Sequence, residues 1–163
     1  DMLGCDLTPV LERDDPVRKA AMFGQHGAQV NITDGRYVYW RGPESTDNQE
    51  LYDYTLMPAR MHSRFGADEL RNSTLAKPFS FTKGMKPLRI PTPVPFGEKQ
   101  GRQHADRNCS QLFDLRNDAG QTSPLQNEVV EAQMIDHLMR LMTEADAPTE
   151  QYRRLGLKMP QDS

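Results

Sequence analysis

Between Ala28 and Arg41 the chain reads AQVNITDGRYVYWR. Asp34-Gly35 interrupts two runs of alternating apolar residues. This is a strong hairpin signal, because a tight two-residue turn needs positive φ at its central positions. With Asp34 and Gly35 in the turn, Ile32 is expected opposite Tyr37 and Val30 opposite Tyr39, all on one face. Thr33/Arg36, Asn31/Val38 and Gln29/Trp40 then share the other. Each such pair contributes roughly 0.2–1 kcal/mol, too little to hold a two-stranded ribbon folded alone. The Tyr/Val/Ile face therefore requires a cover.

The cover that the chain offers lies near its end. From Asn127 to Glu144 the apolar residues Val130, Met134, Leu138, Leu141, Met142 and, just beyond, Ala145 recur at the 3,4 spacing of an amphipathic helix. Asn127 is the expected N-cap, Ser123–Gln126 a short capped turn before it, and Pro148 closes the helix. Burying five large side chains of this stripe is worth roughly 1.5–3 kcal/mol each before the entropic cost. The expected fold class is α+β: a small antiparallel sheet of about four strands with one C-terminal helix packed across it, plus a long irregular loop region.

The 163 residues suffice for one domain, but the composition is polar, with 36% hydrophobic residues, 12 prolines and a mean hydropathy of −0.76. Beside a clear hairpin and a clear helix, that average implies much loop. The net charge of −3 argues against a nucleic-acid partner, and no apolar run approaches the length of a membrane span, so no membrane partner is expected. The chain opens on DMLGCDL, without an initiator Met or a charged and then apolar leader, and is read as a piece of a longer polypeptide. Cys5 and Cys109 are the only cysteines. Two free thiols is the simpler reading, a single bridge the other, and neither a thiolate zinc site nor a disulfide scaffold fits two residues so far apart.

In order along the chain, residues 1–56 hold an extended lead-in to Arg18, a short apolar run (Ala20–Phe23) that fits a buried strand, the Gly24-Gln25-His26-Gly27 connection, the hairpin, a turn over Gly42–Asn48 and an alternating strand over Glu50–Leu56. Residues 57–110 form a Pro-rich basic loop in which Ala67–Arg71 alone resembles a helical turn. Between Ala59 and Arg107 ten basic residues face four acidic ones, a net +6 inside an acidic chain. A loop of that length is functional, disordered or packed on something else. Residues 111–147 carry the last strand, Gln111–Leu115, a turn and the packing helix. Residues 148–163 are read as a tail with one further helical turn over Glu150–Leu157.

His26, His62, His104 and His137 show no metal-ligand spacing, and no C-x-x-C, Gly-rich phosphate loop or G-x-S-x-G elbow occurs. His137 sits on the helix away from most of the stripe. His26 is flanked by glycines that let the backbone turn and project it outward. His62 stands between Arg60 and Arg64, a cluster suited to an oxyanion, because guanidinium groups bind such groups bidentately. Lys83 lies in FSFTKG, between aromatics and a glycine. The candidate substrate-binding residues are therefore His26, Arg60, His62 and Lys83. No nucleophile is paired with a base, so no catalytic and no metal-ligating residue is assigned. Asn31, Asn72 and Asn108 begin N-x-S/T patterns, which matter only for a secreted eukaryotic chain.

Two segments resemble a known family. Gly4-Cys5-Asp6-Leu7-Thr8-Pro9-Val10-Leu11, followed by the DGRYVY of Asp34–Tyr39, is similar to the passage where sulfatases leave their large catalytic domain and enter the C-terminal one. Leu112–Gly120 and Asn127–Met142 resemble the strand and following helix that the family writes LYDLENDPGE…NL. Together these segments cover roughly half of the chain, in the family's order; residues 57–110 match only loosely. The resemblance implies a small antiparallel sheet with one helix across it. It implies a parent that hydrolyses sulfate esters, or phosphate or phosphonate esters in relatives of the alkaline-phosphatase type. Such a parent binds a divalent metal, commonly calcium, and uses a formylglycine made within C-x-P-x-R or S-x-P-x-R. Its N-terminal catalytic domain and an anionic, sulfated substrate are the implied partners.

The chain departs from the family in its chemistry. Cys5 precedes Asp-Leu-Thr, Cys109 precedes Ser-Gln-Leu, and Ser80 and Ser123 fail the pattern as well. The Asp-Asn metal pair and the S-D-H-G-type segment are missing. No catalytic residue carries over, no cofactor is expected in this chain, and the chain alone is expected to be inactive. The resemblance leaves it a place in the wall of the substrate cleft. The alternative is a non-catalytic carbohydrate- or protein-binding module that presents Trp40, Tyr52 and Tyr54.

Overall fold

The Asp34 side chain sets the hairpin. Its Oδ1 accepts hydrogen bonds from the amides of Arg36 (2.8 Å) and Tyr37 (2.6 Å), and Thr33 Oγ1 accepts one from Gly35 N at 3.0 Å. Asp34 N donates to Tyr37 O at 3.3 Å, so the two central turn residues are Gly35, at φ +92°, and Arg36. The turn sits one residue later than expected, and the pairing slides by two. Strand β2 (Val30–Thr33) faces β3 (Tyr37–Arg41) with Ile32 opposite Tyr39 and Val30 opposite Arg41, rather than Tyr37 and Tyr39. A slip of two preserves the period-2 alternation, so the tyrosines stay on the expected face.

The computed structural model describes residues 4–44, 50–57, 59, 60, 62–92 and 109–159. His104, Asn108, the basic residues Lys99, Arg102 and Arg107, the turn residues 45–48 and Pro58, Pro93 and Pro95 lie outside them. Strand β1 (Ala21–Gly24) pairs with β2, and β7 (Gln111–Asp114) pairs with β3, all antiparallel, giving the order β1-β2-β3-β7. Helix α3 (Glu128–Glu144) lies over this sheet. Met134, Leu138 and Met142 of its stripe pack on Ile32, Tyr39 and Leu112, with Val30 and Tyr37 at the margin. Asn127 caps it as expected, its Oδ1 accepting from Val130 N at 3.1 Å. The α+β class and the helix across a four-stranded antiparallel sheet are therefore observed.

Several expectations about the remaining segments need correction. The apolar run at Ala21–Phe23 does form a strand, but an edge strand, with Met22 and Phe23 at 38% and 47% exposure. The lead-in is not wholly extended. Helix α1 spans Thr8–Arg13, because Asp6 Oδ1 accepts from the Thr8 amide and hydroxyl and Pro9 occupies the first turn. No short helical turn precedes α3, since Leu125 N donates to Leu112 O at 2.7 Å and holds that stretch against β7.

The described part of 57–110 is not an irregular loop either. Besides α2 (Ala67–Arg71), at the expected residues, it supplies strands β5 (Thr74–Leu75) and β6 (Leu88–Pro91). These join β4 (Tyr52–Thr55) in a second antiparallel sheet of order β4-β6-β5. The alternating strand after the hairpin thus belongs to a separate sheet.

Residues 149–157 contribute buried side chains to the core. Helix α4 (Thr149–Arg154) starts after Pro148 and buries Tyr152 and Leu155 in the cluster under α3, with Thr143 Oγ1 and Tyr152 Oη 3.2 Å apart. Glu150 and Arg154 are also buried, at 5% and 7% exposure. Among the described residues both cysteines are free and exposed, and no helix is long and apolar enough to cross a membrane.

Candidate functional site

Strand β4 places Asp53 where two of the candidate residues meet. From one side comes the loop after β1, with His26 Nε2 3.1 Å from Tyr52 O and 3.6 Å from Asp53 Oδ1. From the other comes Arg60, which a tight turn (Arg60 N to Ser63 O, 2.7 Å, and an Ala59–Arg64 bridge) delivers after β4. Arg60 Nη2 lies 3.4 Å from Asp53 Oδ2 and 2.6 Å from Glu69 Oε1, and the guanidinium rests 4.2 Å above the Phe65 ring. Glu69 also accepts from Gly66 N at 2.7 Å, which ties the start of α2 into the same group.

The bond to Glu69 holds the Arg60 pKa above its ordinary value, with Asp53 adding to it and burial acting against it. Arg60 is therefore a paired cation. Two carboxylates already share its charge, so it offers an incoming anion less than its sequence neighbourhood suggested. His62 and Arg64 stand exposed beside that turn. Lys83 lies elsewhere, exposed at the tip of the β5–β6 hairpin in the left-handed region (φ +51°). Two of the four candidates, His26 and Arg60, thus converge on one carboxylate. His62 adjoins one of them in sequence, and Lys83 belongs to a different surface.

Asp53 and Glu69 were not singled out in the sequence. Asp53 reads there as one polar residue of an alternating strand, and only the fold brings the Gly-flanked histidine to it across 27 positions. Among the described residues, no three of His, Cys, Asp and Glu gather to hold a metal ion. The carboxylates of Asp53 and Glu69 have the Arg60 guanidinium as a cation. No formylglycine precursor motif surrounds Cys5 or Cys109.

The three aromatic residues of the alternative module are separated. Trp40 is in the first sheet, its ring 4.8 Å from Phe113. Tyr52 and Tyr54 are in the second. Arg89 lies 3.4 Å above the Tyr52 ring, and Tyr54 donates to Glu150. Burial first, and then that hydrogen bond to a carboxylate, push the Tyr54 phenol up to about 12 against the pull of Arg89.

Comparison of the chain with models of protein families, with curated proteins and with solved structures returned no match.

Proposed function

We propose that this chain is the C-terminal portion of a sulfatase-type hydrolase of sulfate esters. In this reading it completes the fold and lines the substrate cleft, while the nucleophile and the metal site belong to an N-terminal catalytic part. The observation that supports the reading is the coincidence of order and packing. The DGRYVY strand pair, the LFDL strand and the following helix occur in the order of the resembling segments, and α3 lies across the sheet that β2, β3 and β7 form. Around Asp53, His26 and Arg60 then act electrostatically, as fixed groups near an anionic substrate rather than as reacting groups.

Reading the coding sequence upstream of Asp1 tests this directly. A C-x-P-x-R or S-x-P-x-R stretch some hundreds of residues earlier, and turnover of an aryl sulfate by the longer polypeptide, are the expected results. A start codon just before Asp1, or no sulfate release by the longer polypeptide, would overturn it. In that longer enzyme Arg60→Ala should raise KM more than it lowers kcat, and an unchanged KM removes Arg60 from the substrate site.

A further inference from the structure

The first sheet has two outer strands, and their edges are finished differently. On β7, Leu112 O accepts from Leu125 N at 2.7 Å, so a further stretch of chain runs along that strand. On β1, among the described residues, the backbone of Ala21–Gly24 bonds to β2 alone, and Met22, Phe23 and Gly24 stand exposed. Ala20–Gln25 carries none of the devices that blunt an edge. No proline or charged residue interrupts it, and β1 keeps an unbroken register with β2. Just before the strand, Arg18 and Lys19 are exposed and have no ion-pair partner among the described residues. From Pro16 to Thr33 the sequence contains no Asp or Glu. The two faces of β1 differ. Met22 lies opposite Ile32, on the face that α3 covers. Phe23 lies opposite Asn31 on the other face, where Phe23, Gly24, Gln25, Ala28, Gln29 and Asn31 line a cleft of about 380 Å³. Asn31 Oδ1 is buried without a hydrogen-bond partner among the described residues.

We infer that β1 takes up an extended acidic peptide of a partner protein as a fifth, antiparallel strand of this sheet. Main-chain hydrogen bonds to the open edge supply the affinity, and side chains alternating across the added strand supply the selectivity. Running antiparallel, the peptide brings its C-terminal end beside Arg18 and Lys19, so its acidic residues belong there. Its side chains on the α3 side meet Met22 and are apolar. Those on the other side pass Phe23 and the cleft, where a hydroxyl or amide donor satisfies Asn31. A second copy of the chain fits this edge less well. Antiparallel pairing of β1 with itself sets Lys19 against Gln25-His26-Gly27, which carries no acid. The inference stands on the sheet edge and does not require the hydrolase reading.

The test is fluorescence-anisotropy titration of the intact chain, at low salt, with labelled peptides of alternating valine and threonine. One ends in a pair of glutamates, one begins with them, and one ends in a pair of lysines. The peptide ending in glutamates should bind most tightly. Two further versions of it carry N-methyl groups on alternate backbone nitrogens, in one phase or the other. Only one phase should abolish binding, because alternate amides of a strand point to opposite edges. Arg18→Glu/Lys19→Glu should weaken the glutamate-ended peptide by about tenfold and make the lysine-ended one the better ligand. In the wild-type protein the peptide should slow amide hydrogen exchange at residues 20–25, a readout that does not depend on any variant folding. Failure of the glutamate-ended peptide to bind, equal binding of the two methylated versions, unchanged binding by the charge-reversed variant, or protection confined elsewhere would overturn the proposal. Protection of residues 20–25 that grows with protein concentration instead of peptide would assign the edge to a second copy and overturn it too. Because no turnover is measured, failure here is distinct from failure of the sulfatase reading.

Discussion

Tyr54 donates its phenol hydrogen to the carboxylate of Glu150, which ties the middle of β4 to the first turn of α4 across 96 positions of sequence. Arg89 Nε approaches both, 3.2 Å from the phenol oxygen and 3.7 Å from the carboxylate. At the other end of α4, the Arg154 guanidinium donates to Ala28 O, just before β2. The backbone O of Arg154 accepts from Glu44 N at 2.8 Å, and Leu155 O accepts from Arg41 Nε at 2.7 Å. One short helix therefore clasps both sheets, each through a buried polar side chain.

Replacing Tyr54 by Phe removes the donor from a buried carboxylate and should cost about 1–3 kcal/mol in chemical denaturation. The effect has a defined pH dependence. The folded pKa is raised, so the unfolded phenol ionises first, near 10, and the folded one near 12. The wild-type advantage over Tyr54→Phe should be complete below pH 10 and should disappear as pH rises through 12. Burial also pushes the Arg154 guanidinium down, to about 10, but that contribution is common to both proteins and cancels in the difference. A pH-independent difference would show that Tyr54 does not titrate in this way.

Gly24→Ala should disturb the loop that carries His26. A Cβ at this position would lie 2.7 Å from the Gln29 carbonyl oxygen, backbone against backbone, so no rotamer change relieves it. The expected loss is about 1–3 kcal/mol, with displaced His26 ring resonances in NMR spectra. Unchanged resonances would mean that the loop accommodates the methyl group without moving the imidazole.

Leu138 is fully buried at the centre of α3's inward face. Leu138→Ala should destabilise by about 2–5 kcal/mol, as cavity-forming core truncations do. Val129, 69% exposed as the second residue of the helix, is the control, and Val129→Ala should stay within about 0.5 kcal/mol in the same urea titration.

Asn127→Ala should cost about 1 kcal/mol by leaving the Val130 amide without its side-chain acceptor, while Asn127→Asp should retain most of the stability. Equal losses for both would rule out capping as the role of this residue.

Much of the first sheet and its helix was legible because the signals are local and periodic. Alternation around Asp34-Gly35 named the two faces of β2 and β3, and the 3,4 stripe named Met134, Leu138 and Met142 as inward. The exact pairing was not legible, because two adjacent turn positions preserve the same faces, and the side-chain bonds of Asp34 and Thr33 choose between them. The second sheet was hidden for another reason. β5 is two residues long and β6 runs into Pro91, so neither is long enough to show a period. For the candidate site, the glycines around His26 and the basic residues around His62 could be seen, but the acids that pair with them could not.

The sequence by itself determined which residues turn inward on the hairpin and on the long helix, because period 2 and period 3.6 are properties of the backbone that any chain of this pattern inherits. The tertiary structure alone decided that Asp53 meets His26 and that Arg60 meets both Asp53 and Glu69. It alone decided that Glu150 and Arg154 go inward with α4. Charge pairing and the desolvation of polar groups depend on what lies within a few ångströms in space, and these partners come from separate elements that no local pattern links.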